Sequence, residues 1–330
     1  MRPKALKIPD LDRRYPLRRS PHYETVADEF HAWFLEQGPF TTEKQRKAFV
    51  AKDYAYLVSI AWPASDRRTL WDLATLAAAL SERDDEADAA RAGASLGKLR
   101  ASLADVKAHQ ATTSERRWGP LLAKVWRSMS EYVTPQVMTR LADAISGYLE
   151  GCIAYDLKQI DGYRFGRVED YLEIRGFTIA QRVDQVLTEI SLGIDLGAAR
   201  EDELVKELCH RDVERVIVYH DLLSLRKDLA EGETENIVLV IAAAEGCDLQ
   251  EAVHRTCRLL DKKMDRYEES ARRLRLSPLG WRDDVCLFVD GLNDFTSGLI
   301  EWATCSARYT LGETSHWATK TQIVSETPCR

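Results

Sequence analysis

Residues 219–228 read Tyr-His-Asp-Leu-Leu-Ser-Leu-Arg-Lys-Asp. On a helix, His220, Ser224 and Asp228 recur every four residues and project from one face. An imidazole, a hydroxyl and a carboxylate stacked in this way can hold a divalent metal. Lys227, beside them, suits an anionic ligand. Val216, Ile217, Leu222, Leu223 and Leu225 surround the polar row, so the helix is otherwise built for burial. Buried polar groups cost free energy unless they are satisfied, and a bound metal would satisfy these.

Outward from this helix the chain continues in the same style. Apolar residues recur with helical period from about residue 22. The pattern predicts helices over 22–37, 42–60, 66–90, 94–108, 115–130, 135–160, 167–192, 200–229, 235–243, 248–275 and 280–308. Breaks fall at Gly38-Pro39, Trp62-Pro63, Gly119-Pro120, Thr134-Pro135, Gly246 and Ser277-Pro278-Leu279-Gly280. No alternating strand pattern of useful length and no fixed-period repeat is present. The expectation is an all-α bundle around a central cavity, one domain over 22–312. Residues 1–21, rich in Pro and Arg, form an extended or disordered arm, and 313–330 a polar tail.

Composition sets the outer limits. The 330 residues can bury a large core, and a net charge of −7 argues against nucleic acid as a partner. The seven cysteines are scattered, with no CxxC pair, as expected of reduced thiols in a cytoplasmic protein. No apolar stretch approaches the roughly 18–20 residues of a membrane span, and the N-terminus has no apolar signal core. A cytoplasmic protein without stable membrane insertion is expected.

Three further segments carry chemistry. Residues 81–88 read Ser-Glu-Arg-Asp-Asp-Glu-Ala-Asp and end an almost wholly apolar stretch, Leu70 to Leu80. The clustered carboxylates of Asp84, Asp85 and Asp88 repel one another unless a cation neutralises them. Such a run is more often a solvated helix face. In residues 170–180, Arg175 sits among apolar neighbours beside Gly176, where it needs an anion: a ligand, or a nearby Glu. Residues 302–309 end in Arg308-Tyr309, which on local grounds alone could be a basic helix end favouring the macrodipole.

The decapeptide resembles the second metal-binding motif of class I terpene synthases of the bacterial and fungal single-domain type. Asp221, Ser224, Lys227 and Asp228 match, and His220 stands where the family has Asn or Asp. The acidic run resembles the family's first metal motif. It can be placed literally on Asp84, Asp85 and Asp88, or one turn earlier on Ser81, Glu82 and Asp85; the literal placement is preferred. The segment around Arg175 is similar to the family's diphosphate sensor, and the Arg308-Tyr309 pair to its C-terminal Arg-Tyr. The four segments occur in the family's order.

The resemblance implies a terpene cyclase that ionises a linear prenyl diphosphate, farnesyl diphosphate first, and cyclises the carbocation. A diterpene synthase using geranylgeranyl diphosphate, or a degenerate cyclase with weak or no turnover, is the alternative. It implies metal ligands at Asp84, Asp85, Asp88, His220, Ser224 and Asp228. Diphosphate contacts would come from Arg175, Lys227, Arg308 and Tyr309. Thr178 would be a linker, and the carbonyl near Ile179 or Ala180 would face the carbon skeleton. Three Mg²⁺ ions are implied, with Mn²⁺ suited to His220. Family members are often homodimers. Trp62, Trp71, Tyr148, Phe177, Phe295 and Trp302 are candidates to steady a cation through their ring faces, Phe177 first because it lies between Arg175 and the expected helix break.

Overall fold

A computed structural model describes residues 6–88 and 119–310, the side chains of 83–88, 119 and 310 excepted. The helix expected over 94–108 and the tail 313–330 lie outside the described residues. No strand occurs among those described. The helices are α1 (Tyr23–Gln37), α2 (Glu43–Lys52), α3 (Tyr54–Ala61), α4 (Arg67–Asp88), α5 (Gly119–Met129), α6 (Pro135–Ile160), α7 (Val168–Thr178), α8 (Gln181–Leu192), α9 (Glu203–Glu231), α10 (Ile237–Glu245), α11 (Leu249–Leu276), α12 (Asp283–Cys305) and the short α13 (Ala307–Thr310).

Three helices expected as single pieces are divided. The stretch 280–308 breaks at the extended Ser306. The stretch 42–60 breaks at Asp53, whose backbone is left-handed at φ 48°. Its carboxylate accepts from Tyr56 N at 2.9 Å and so caps α3. Asp tolerates this conformation because its short polar side chain bonds locally. The stretch 167–192 breaks at Ile179-Ala180, where Ala180 is left-handed at φ 60° with no cap from its side chain. A β-carbon in that region is strained, which is the cost of turning the chain sharply beside the site.

The helices enclose a core in which α3, α4, α6, α8 and α12 supply many of the buried side chains. Gly298 lets α12 lie directly on α3: a β-carbon there would stand 2.5 Å from Ala61 N and 2.6 Å from Ala61 Cα. This close crossing brings Phe295, Leu299 and Trp302 of α12 opposite Leu57 and Trp62 around the central cavity. A second cluster packs α9 against α10 and α11.

The N-terminal arm from Leu6 to Ser20 is extended and docked. Arg14 reaches Asp265 at 2.9 Å and Glu268 at 3.2 Å on α11. Tyr219 donates to Asp12 O at 2.6 Å, and Arg18 Nε to Asp294 at 2.9 Å. Ser20 N closes the strap on Ser59 O at 2.7 Å. Pro9 and Pro16 keep the arm out of a helix, while its arginines find acids on α11 and α12.

Candidate active site

One cavity of about 300 Å³ opens among the helices. Its polar wall comes from α7, α9 and α13: Arg175, His220, Ser224, Lys227, Asp228, Arg308 and Tyr309 all line it. Thr178, Ile179 and Ala180 line it where the chain turns from α7 into α8. Residues from three of the four separated stretches of sequence therefore meet at one hollow; the side chains of the acidic run lie outside the described residues.

The polar residues interlock. Arg175 donates to Thr178 O at 3.2 Å and Thr178 Oγ1 at 3.3 Å, and its Nη2 lies 3.4 Å from His220 Nδ1. His220 Nε2 in turn lies 3.4 Å from the Tyr309 hydroxyl. Thr178 donates to Glu235 at 2.9 Å, and Arg175 stands 3.8 Å from the same carboxylate. Burial alone would pull the Arg175 guanidinium down. Tyr171, Glu235, Asp221 and Asp228 outweigh it and hold the group well above its usual range. Burial pushes Glu235 up to about 7, against the pull of Arg175.

Asp221, which matches the motif without a role assigned to it, and Asn236 hold the wall in place. Asp221 is fully buried and accepts from Tyr171 at 2.5 Å and from Ile237 N at 2.9 Å. Burial favours its neutral form, but His220, Arg175 and Tyr171 reverse that and lower it below the usual carboxylate range. Asn236 caps α10 through Val238 N at 2.9 Å. Its amide also donates to Asp221 O at 2.7 Å and Asp228 Oδ2 at 2.8 Å. An Asn before the apolar run Ile237–Ile241 is a legible cap signal, and its reach back to α9 is not. Glu235 was likewise missed, since a Glu in an acidic loop carries no signal of its own.

The donor set of α9 suits a metal. Ser224 Oγ at 2.6 Å and Asn236 both donate to Asp228 Oδ2, whereas Oδ1 takes no hydrogen bond from the described residues. A buried carboxylate with one oxygen open to a polar cavity fits a hard divalent cation. Among the described residues, His, Cys, Asp and Glu side chains alone do not assemble a metal-holding group of three or more. Asp84, Asp85 and Asp88 belong to α4, but their side chains lie outside the described residues. Of the alternative placement, Ser81 lines the cavity, while Glu82 accepts from Tyr54 at 3.0 Å and pairs with Lys52. Lys227 lines the cavity and also meets Glu231 at 2.9 Å, one turn along α9.

The apolar lining includes Trp62, Tyr148, Phe295 and Trp302, as expected, with Leu80, Ile145 and Leu187. Phe177 requires correction. Its side chain is 48% exposed, does not line the cavity, and packs under the Arg182 guanidinium 4.5 Å from the ring centroid. The helix break comes two residues later, so Phe177 still follows the helical turn of α7 onto its outer face. Trp71 is also elsewhere, packed on Phe30 and Trp33 at centroid distances of 5.7 and 5.3 Å.

A family model, "Terpene synthase family 2, C-terminal metal binding", matches residues 76–266. The chain belongs to the terpene synthase family. The matched span runs from the cavity-lining part of α4 into α11 and so contains both stretches that resemble metal motifs and the Arg175 segment. Over 335 residues the chain is 24% identical to Sesquiterpene synthase 1 of Postia placenta, covering 99% of this chain and 97% of that protein. Alpha-muurolene synthase of Coprinopsis cinerea is 23% identical over 322 residues, 93% of this chain and 74% of its own length. Among solved structures, a-eudesmol synthase superposes with a TM-score of 0.77 at 20% identity, covering 89% of this chain and 98% of that one. The ancestral SVS_A2 protein gives 0.77 at 22% identity, covering 89% of each chain. These neighbours share the all-α terpene synthase fold. This terpene synthase is thus an enzyme, a metal-dependent terpene cyclase acting on a prenyl diphosphate. No described helix is long and apolar enough to cross a membrane.

Proposed function

We propose that the enzyme ionises farnesyl diphosphate and cyclises the resulting carbocation, releasing diphosphate. One observation carries this reading: Arg175, His220, Lys227, Asp228, Arg308 and Tyr309 share a cavity with Trp62, Phe295 and Trp302. Two features favour the farnesyl chain over the longer geranylgeranyl chain. The full-length relatives bear the name sesquiterpene synthase. The cavity of about 300 Å³ sits at the lower end of the ~300–1,000 Å³ usual for ligand sites.

Asp228, Ser224 and His220, with Asp84, Asp85 and Asp88, would hold the metal, Mg²⁺ in the first instance and three ions in number, with Mn²⁺ suited to His220. Helical spacing carries the cavity-lining positions 77, 80 and 81 of α4 on through 84, 85 and 88, which supports the literal placement. The bound metal supplies the positive charge that makes diphosphate a competent leaving group. Arg175, Lys227 and Arg308 bind and orient the diphosphate oxygens, and Tyr309 donates its hydroxyl. Departure leaves an allylic cation among aromatic faces, each worth about 0.5–2 kcal/mol to a cation. The Ile179 carbonyl, stranded between α7 and α8, accepts no hydrogen bond from the described residues. It offers a fixed negative dipole to that cation, and Thr178 links it to Arg175 through their hydrogen bond.

The test is incubation with farnesyl, geranyl and geranylgeranyl diphosphate and Mg²⁺, reading diphosphate release and the hydrocarbons formed. A cyclic sesquiterpene from farnesyl diphosphate is expected. A cyclic product from geranylgeranyl diphosphate alone would reassign the substrate. No release from any of the three would leave a diphosphate-binding protein without turnover.

A further inference from the structure

Four residues of the turn and α8, Ala180, Val183, Asp184 and Leu187, line the cavity at the spacing of one helical face. Three are apolar, and the fourth is an acid. Asp184 belongs to no motif and is not needed to hold metal or diphosphate. Its carboxyl makes no hydrogen bond or ion pair with any described residue; only its backbone carbonyl is engaged, by Thr188 Oγ1 at 2.9 Å. Where α9 packs beside α8, Asp212 of α9 is fully buried and held by Arg215 at 2.8 Å, Gln181 at 2.7 Å and Gln185 at 2.9 Å. The two acids on and beside α8 are therefore treated oppositely: one is fully satisfied, and the other is left bare toward the hollow.

A bare carboxyl in an apolar wall is costly, and nothing in the packing requires it. Burial, reinforced by the Asp212 carboxylate, pushes Asp184 up to about 8. The group is therefore a neutral carboxylic acid near pH 7, able to give a proton. A cyclase limited to one round of ionisation has no use for such a donor.

Resting on the cyclase reading above, we infer that Asp184 is a further catalytic residue, a proton donor that reactivates a neutral cyclic alkene held in the cavity. The steps balance. The first cyclic carbocation loses a proton to the released diphosphate and becomes a neutral polyene. The Asp184 O–H bond breaks as a C–H bond forms on one alkene carbon, leaving a carboxylate and a new carbocation. Ring closure by a remaining double bond follows. The last cation loses a neighbouring proton to the Asp184 carboxylate, which restores the acid and leaves an alkene. No further reactant is consumed, and the products are more highly cyclised hydrocarbons.

The experiment uses the full chain with farnesyl diphosphate and Mg²⁺ in H₂O and in D₂O, reading diphosphate release and product mass together. Between turnovers the Asp184 proton exchanges with solvent, so the wild-type product formed in D₂O should carry one deuterium on carbon. Asp184→Asn should still release diphosphate, at a lower rate, and yield unlabelled hydrocarbon with fewer rings. If Asp184→Asn does not fold, Asp184→Ser, which removes the acid with less bulk, is read in the same way. Unlabelled wild-type product, or label retained in a folded Asp184 variant, would overturn the inference while leaving the cyclase reading intact. Absence of diphosphate release from the wild type would instead strike the cyclase reading itself.

Discussion

The Tyr309 hydroxyl lies 3.4 Å from His220 Nε2, the two rings meeting edge to face at 84°. On its other side the imidazole meets Arg175. His220 thus joins Arg175 and Tyr309, both proposed to bind diphosphate, besides sharing a helix face with Ser224 and Asp228.

An oxygen donor suits Mg²⁺ better than imidazole does. His220→Asn should therefore raise kcat with Mg²⁺ several-fold and lower the ratio of Mn²⁺ to Mg²⁺ activity. The lost contact to Tyr309 should raise KM for the prenyl diphosphate. Steady-state kinetics with each metal measures all three. Slower turnover with Mg²⁺ would show the histidine to be an adapted ligand.

Asn236 stabilises α10 and orients Asp228 with a single side chain. Asn236→Ala should cost about 1 kcal/mol as a lost cap. If Asp228 holds the metal as proposed, removing its partner should further cost about 10–100-fold in metal affinity or activity. Urea unfolding and metal titration of turnover separate the two losses.

Much of this site was legible from sequence because it rests on helical spacing. His220, Ser224 and Asp228 had to share a face once α9 was a helix, and Arg175 and Arg308 followed from matching short motifs. The misreadings came where spacing gives no information. Phe177 looked central because it follows Arg175, but side-chain direction around a helix end depends on which residue breaks it, and that residue was Ala180. Asn236 and Glu235 act across α9 and α7 through tertiary contacts, and Asp184 reads as ordinary amphipathic polarity until the cavity shows which face is inward. The breaks at Asp53 and Ala180 lack Gly or Pro, the usual punctuation.

Glu235 should make stability pH-dependent. Its ordinary value is 4.5 and burial raises it to about 7 in the folded chain. Within that window the folded chain binds a proton that the unfolded chain does not. The contribution is therefore complete below 4.5 and is lost as pH rises through about 7. Asp184 acts with the same sign from 3.8 to about 8. Glu235→Gln should flatten part of this decline, and Glu235→Gln with Asp184→Asn more of it, as read from urea midpoints across the pH range.

Gly298→Ala should destabilise the enzyme by about 1–3 kcal/mol, because the new methyl meets the Ala61 backbone, which cannot yield as a side chain tip would. A thermal melt would register this. Any separation of α12 from α3 would also shift Phe295 and Trp302, so the hydrocarbon mixture should broaden.

Arg18→Ala should cost about 1–3 kcal/mol, the penalty for a buried polar group left unsatisfied, since Asp294 is only 6% exposed and Arg18 is its ion-pair partner. The loss should be smaller at low pH, where burial, which already raises Asp294, lets it take up a proton. Urea unfolding at two pH values checks both.

The docked N-terminal arm constrains biogenesis. Arg14 meets Asp265 across 251 positions of sequence. A ribosome delivers the N-terminal end first. The arm must therefore wait, undocked, until α11 and α12 have emerged to receive it. Docking of residues 6–20 is then set by the emergence of α11 and α12 and not by the synthesis of the arm itself.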